Sequence, residues 1–165
     1  DSQDICFVED GDYAGFIEKE TGKESIPGNF VDLNGTVIGR HKGILHYTIG
    51  QRKGLNLPMG HPVFVVDICP LTNEIVIGEN EDVFAKGLIA ENPNFMAVEE
   101  LVGEERVMAK VRYNHKGASC RIRMNEKNQV ECIFDEPVRA VTKGQAVVFY
   151  KEDYIYGGAT IEGRL

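Results

Sequence analysis

Apolar and polar residues along this chain alternate mostly with the two-residue period of strands, which sends successive side chains to opposite faces. One early segment departs from that period. GDYAGFIEKETGK, residues 11–23, reads as one short helix, with Asp10 or Asp12 as N-cap and Gly22 just past its end. In FVDLNGTVIGRH, Asn34-Gly35 stands between apolar runs and predicts a hairpin. VFVVDIC and EIVIGE flank PLTN and predict a second. Beyond about Ala85 come RVMAKVRYN, ASCRIRMN, QVECIFDE, QAVVFYKE and YIYGGATI. Five strands at short spacing, with turn residues between them, predict a closed or nearly closed barrel. The expected fold is therefore mainly β, a small mixed α/β domain followed by a C-terminal β-barrel. The expected divisions are 1–24, 25–84 and 85–165.

Composition adds little to that picture and charge adds more. With 42% hydrophobic and 27% charged residues over 165 positions, the chain is that of a globular protein. No apolar run approaches the roughly 20 residues that cross a bilayer, so no membrane partner is expected. The start shows no basic and then apolar leader pattern. Four cysteines, Cys6, Cys69, Cys120 and Cys132, lack CxxC or zinc-type spacing and are expected as reduced thiols in a cytoplasmic protein. His41 and His46 can share a turn, but no third ligand accompanies them, and no metal site is expected. A formal net charge of −8 argues against indiscriminate polyanion binding. Where the positive charge sits matters more than the sum.

Between Val37 and Val66 there is no Asp or Glu. At the centre of that run lies HYTIGQRKGL, where Gly50 and Gly54 bracket Gln51, Arg52 and Lys53. Glycines on both sides let backbone approach a large ligand; the stretch also reads as a solvated surface turn, and both readings stay open. The segment from Arg106 to Arg123 is sharper, with six Lys or Arg and no acidic residue. If NHKG, Asn114 to Gly117, forms a hairpin loop, Tyr113 faces Ala118, Val111 pairs with Cys120, and Lys110 falls opposite Arg121 with Arg112 and Arg123 beside them. Like charges opposed across strands cost a few tenths of a kcal/mol to about 1. An anionic partner, phosphate backbone above all, explains such a stripe; the alternative is long side chains solvated on the outside of a barrel. Tyr113 is either core or a base-stacking ring. Cys120 and Cys132 fall on the apolar faces of their strands and are expected as buried core thiols.

Cys6 lies in DSQDICFVEDGD among apolar and acidic neighbours, both of which raise a thiol's pKa. Activation of this thiol must therefore come from residues distant in sequence or from a bound substrate.

Taken in order, DSQDICFV, VDLNGTVIGRHKGILHYTIGQRKGL, the KVRYN strand, FDEPVRAVTKGQAVVFY and YGGATIEGRL resemble the C-terminal part of the bacterial tRNA-specific 2-thiouridylases over nearly the whole chain. The resemblance implies a fragment of an ATP-dependent enzyme that replaces the C2 oxygen of a tRNA wobble uridine by sulfur. It implies that Cys6 carries the sulfur as a persulfide, and that residues 1–24 end the catalytic segment. ATP and magnesium would belong to an upstream domain, leaving no cofactor for this fragment and no activity by itself. Arg112, Tyr113 and Gln145 match positions expected to touch tRNA. Gln51, Arg52 and Lys53 are expected near RNA or near the catalytic domain; Lys110 and Arg121 join the RNA set from the hairpin argument. A sulfur-relay protein is the implied second partner, and a monomer the expected state. Two other readings compete: a freestanding RNA-binding, translation-factor-like barrel without thiol chemistry, and a scaffold domain whose basic stripe meets an acidic protein.

Overall fold

The computed structural model describes residues 13–22 and 24–165, so the expected N-caps Asp10 and Asp12, and Cys6, lie outside the described residues. The chain divides into two compact units between Val83 and Phe84, beside the division at 84/85 read from sequence.

In the first unit the expected helix is α1 (Tyr13–Thr21). It ends where Gly22 takes a φ of 65°, a left-handed conformation that glycine adopts without the Cβ penalty. Strands β1 (Gly28–Val31) and β2 (Val37–His41) form the hairpin expected at Asn34-Gly35. Asp32 organises its loop: its carboxylate accepts from the Asn34 and Thr36 amides, both at 2.8 Å. β3 (Phe64–Cys69) and β4 (Glu74–Gly78) form the second hairpin, Cys69 opposite Glu74 with PLTN as the loop. Parallel pairing of β1 with β4 joins the two hairpins into a sheet of order β2-β1-β4-β3. Phe30, Val65, Ile75 and Ile77 form its core, with Leu55 and Val63 of the intervening loop buried against them.

His41 belongs to that core. It is 2% exposed. Its Nδ1 accepts from the Gly43 amide at 3.0 Å, so Nε2 carries the proton and donates to the Asn73 carbonyl at 3.1 Å. Burial holds this imidazole below its ordinary range, and the Arg40 charge adds to the effect.

The second unit is a closed barrel of six strands: β5 (Phe84–Phe95), β6 (Glu104–Lys110), β7 (Ala118–Met124), β8 (Val130–Arg139), β9 (Ala146–Lys151) and β10 (Tyr154–Arg164), in circular order β10-β5-β8-β7-β6-β9. Its interior is filled by side chains, among them Leu88, Ile122, Val130, Val147, Phe149 and Ile161. Five of these strands are those expected. β5 was absent from the expectation. Its register against β8 shifts between Ala85 and Gly87, so the buried positions run Ala85, Gly87, Leu88 and Ala90 and break the alternation.

The hairpin of β6 and β7 corrects the expected pairing. Val107, not Val111, faces Cys120, and Ala109 faces Ala118. Lys110 therefore does not oppose Arg121; Arg106 does. The turn sits at Arg112–His115, where the His115 amide donates to the Arg112 carbonyl at 3.1 Å, and not at Asn114–Gly117. The displacement is four residues along β6, an even number, so the side chains within β6 and β7 keep the faces assigned to them, while Tyr113 falls outside the ladder.

Candidate nucleic-acid interface

β6 sends Val107 and Ala109 inward and Arg106, Met108 and Lys110 outward. The chain then leaves the sheet, with Val111 still buried and Arg112 and Tyr113 exposed. Tyr113, 84% exposed, is not a core residue. The His115 ring hydrogen-bonds the Ala109 backbone, and its buried Nδ1 has no hydrogen-bond partner among the described residues. Burial holds the His115 imidazole below its ordinary range, with the Arg112 and Lys110 charges reinforcing it. At neutral pH it stays uncharged.

β9 lies beside β6, Lys110 opposite Val148 and Met108 opposite Tyr150. It is entered through the turn Thr142-Lys143-Gly144-Gln145, closed by the Gln145 amide to the Thr142 carbonyl at 3.3 Å with Gly144 at φ 83°. Positive φ at the third position calls for glycine. That turn exposes Gln145 at the start of β9, whose Ala146, Val148 and Tyr150 point outward while Val147 and Phe149 point into the barrel. A groove of about 470 Å³ results, lined by Lys110, Val111, Arg112, Tyr113 and Gln145 around the outward face of β9. Gln145, 33 residues from Arg112, thus shares one groove with Arg112, Tyr113 and Lys110. Two cations, an amide and an exposed phenol ring over an apolar floor suit a phosphate-bearing, partly unstacked nucleic-acid strand. Sequence reasoning missed Val148 and Tyr150. The run AVVFY is apolar throughout, so nothing in it told the outward face from the inward one.

The basic stripe is smaller than its sequence implies. Arg106 meets Asp135 at 2.6 Å, Arg123 meets Glu131 at 2.6 Å, and Arg121 reaches Glu104 at 3.5 Å. The premise that the stripe lacks carboxylates is therefore corrected: they come from β8 and from the start of β6. Among the described residues Lys110, Arg112 and Lys116 have no such partner. Arg121, expected in the RNA set, is one of the paired cations and does not line the groove. Of the three cations without a carboxylate partner, Lys110 and Arg112 line the groove.

In the first unit, the Gln51 side chain is engaged with its own turn. Its Oε1 accepts from the Thr48 amide at 3.0 Å and its Nε2 donates to the Lys53 carbonyl at 2.9 Å. The turn is fastened to β3 through reciprocal bonds, Gly50 amide to Val65 carbonyl and Val65 amide to Gln51 carbonyl. Arg52 and Lys53 stand exposed at its tip, bracketed by Gly50 and Gly54 at φ 87° and 77°.

Cys120 and Cys132 are wholly buried in the barrel. A hydrogen bond with Cys120, with burial behind it, pushes the Cys132 thiol far above its ordinary range. These are packing residues. Among the described residues no three His, Cys, Asp or Glu side chains gather as a metal ion requires, and none of their helices is long and apolar enough to cross a membrane.

Two family models match the two units. Residues 14–79 match a "tRNA methyl transferase PRC-barrel domain" and residues 85–161 an "Aminomethyltransferase beta-barrel domain". Among curated relatives, a tRNA-specific 2-thiouridylase of Lachnoclostridium phytofermentans is 58% identical over 98% of this chain and 45% of its own length. Those of Carboxydothermus hydrogenoformans and Clostridioides difficile are 51% and 49% identical over 100% of this chain and 45% and 46% of theirs. The chain thus spans a little under half the length of these relatives. At that identity, over essentially every residue of both units, the chain belongs to the tRNA-specific 2-thiouridylase family, as the part that carries its PRC-barrel and β-barrel domains.

Proposed function

We propose that this chain is the sulfur-carrying and tRNA-binding part of an ATP-dependent enzyme that converts a wobble uridine of tRNA to 2-thiouridine. The observation that carries the RNA half is the groove, where Arg112, Tyr113 and Gln145 meet beside Lys110. Lys110 and Arg112 would meet phosphate oxygens, Tyr113 would stack on an unpaired base, and Gln145 would offer donor and acceptor to a base edge. Arg52 and Lys53, exposed on their turn, would add a second, weaker phosphate contact.

Cys6 supports the chemical half through its motif alone. Its terminal persulfide sulfur would attack C2 of the uridine and displace the activated oxygen. A thiol elsewhere in the whole protein would then form a disulfide with Cys6, which breaks the S–S bond and leaves sulfur on C2. A persulfide ionises more readily than a thiol, which answers the acidic surroundings of Cys6. ATP, with magnesium, supplies the activation of the C2 oxygen. No residue of this chain is assigned to either, so the chain alone should be inactive. A sulfur-relay protein and a cytoplasmic, monomeric state complete the reading.

Titration of an unmodified tRNA with a uridine-first anticodon into the 165-residue chain, by fluorescence anisotropy across a salt series, tests the RNA half. Binding should weaken steeply with salt. Arg112→Glu should reduce affinity about tenfold or more, while Arg123→Gln, on the paired face, should leave it nearly unchanged. No binding at low salt, or equal losses in the two variants, would remove the groove from the reading. Mass spectrometry of the chain after exposure to a cysteine desulfurase and cysteine tests the other half. A gain of one sulfur on Cys6, lost in Cys6→Ser, is expected; binding without that gain would favour a barrel that binds RNA and carries no sulfur.

A further inference from the structure

Most of the close cation contacts of the barrel end on a carboxylate; Lys110 ends on a ring. Its Nζ lies 5.3 Å from the centroid of Tyr150. On the shared outer face Lys110 opposes Val148 and Met108 opposes Tyr150, so Lys110 and Tyr150 are diagonal neighbours, within reach for long and aromatic side chains. Lys151 makes an instructive contrast. Its Nζ is 5.7 Å from the Tyr156 ring, but it also meets the Glu105 carboxylate at 2.7 Å, which raises its pKa. A carboxylate fixes a lysine and cancels its charge. A ring fixes it through the quadrupole and leaves the full charge in place.

Resting on the RNA-binding reading above, we infer that Tyr150 is a positioning residue, whose ring holds the Lys110 ammonium at the groove as a preorganised phosphate contact. A lysine side chain has large rotamer entropy to lose, and part of that cost falls on binding unless the stem is already ordered. Tyr150 meets the requirement on two counts. Its ring lines the same groove as Lys110, and its strand is anchored from the other side by the fully buried Phe149. The phenol oxygen has no part in this, so the ring alone should suffice.

The test is a double-variant cycle read by tRNA anisotropy in the 165-residue chain, with a thermal midpoint recorded for every variant. Tyr150→Leu should weaken binding about two- to five-fold, the range of an exposed to partly buried cation–π contact. Lys110→Met should weaken binding and lower the salt slope by about 0.7 to 0.9, one phosphate contact. Adding Tyr150→Leu to Lys110→Met should cost nothing further. Tyr150→Phe should restore the affinity, and Tyr150→Ile replaces Leu should that variant lose its thermal transition. If Tyr150→Leu costs the same factor with or without Lys110, the ring touches RNA itself and the inference falls. It falls equally if Phe is as weak as Leu, or if neither change matters. Absence of salt-dependent binding by the unsubstituted chain overturns the RNA reading and this inference with it, whereas normal binding with any of the contrary Tyr150 results overturns this inference alone.

Discussion

Arg106, Arg121 and Arg123 sit at outward positions of β6 and β7, each with a carboxylate within 3.5 Å. Lys110, Arg112 and Lys116, from the same basic run, have none among the described residues. The two regions differ in which strand stands alongside. β8 supplies Glu131 and Asp135 to the first set, whereas β9 presents Ala146, Val148 and Tyr150 to Lys110 and Arg112 of the second. Exposed ion pairs contribute about 0–1 kcal/mol each to stability, so the paired face is better understood as charge removed from competition. Of the basic run from Arg106 to Arg123, Lys110 and Arg112 keep their charge for an anion at the groove.

The most drastic way to break this contrast is to remove what holds β9. Phe149, fully buried beneath the groove floor, should cost about 3–5 kcal/mol as Phe149→Ala, measured by urea unfolding, and the groove should lose its RNA affinity with the strand. Next comes the amide at the groove edge. Gln145→Ala should leave the unfolding midpoint unchanged and reduce tRNA affinity by about 1–2 kcal/mol, the worth of a hydrogen bond that involves a charged or well-placed partner; an unchanged affinity would place the RNA elsewhere along the groove. A subtler change converts one region into the other. Asp135→Asn should release Arg106 and steepen the salt dependence of RNA binding by up to about 0.9, with little loss of stability, since the pair is exposed. A slope unaltered by that substitution would show that the RNA never approaches the paired face.

The smallest effect is on pH. His41 and His115 both sit below their ordinary value of 6.5, chiefly through burial. Each binds a proton more readily in the unfolded chain, so stability is whole above pH 6.5 and declines as pH falls below it. Unfolding midpoints at pH 7.5 and 5.5 should differ in that direction. The difference should shrink in His115→Asn, which removes an imidazole whose protonation both groove cations oppose. A midpoint that rises on acidification would reverse the sign argued here.

Much of the molecule was legible one segment at a time. The helix end at Gly22, the hairpin at Asn34-Gly35, the PLTN loop and five of the six barrel strands were all readable, because turn chemistry and a two-residue period act over a few neighbouring residues. The inward facing of Cys120, Cys132 and Ile122 followed from the same period. Arg112, Tyr113 and Gln145 were singled out by their motifs, before anything brought them together.

What resisted reading depended on partners distant in sequence. β5 went unseen because its bulge breaks the alternation that periodicity detects. The β6–β7 register slipped by four residues because alternation records which face a side chain takes and is blind to even displacements. The stripe looked uncompensated because its carboxylates stand on β8 and at the start of β6, outside the segment being counted. Sequence by itself determined the faces of the alternating strands β6 and β7, though not of the uniformly apolar β9 or the bulged β5, and the identity of the charged and polar groups, since both are local properties. Only the closed barrel decided which cations keep their charge for an anion and that Gln145 stands beside Arg112, because strand pairing juxtaposes residues that chain proximity does not.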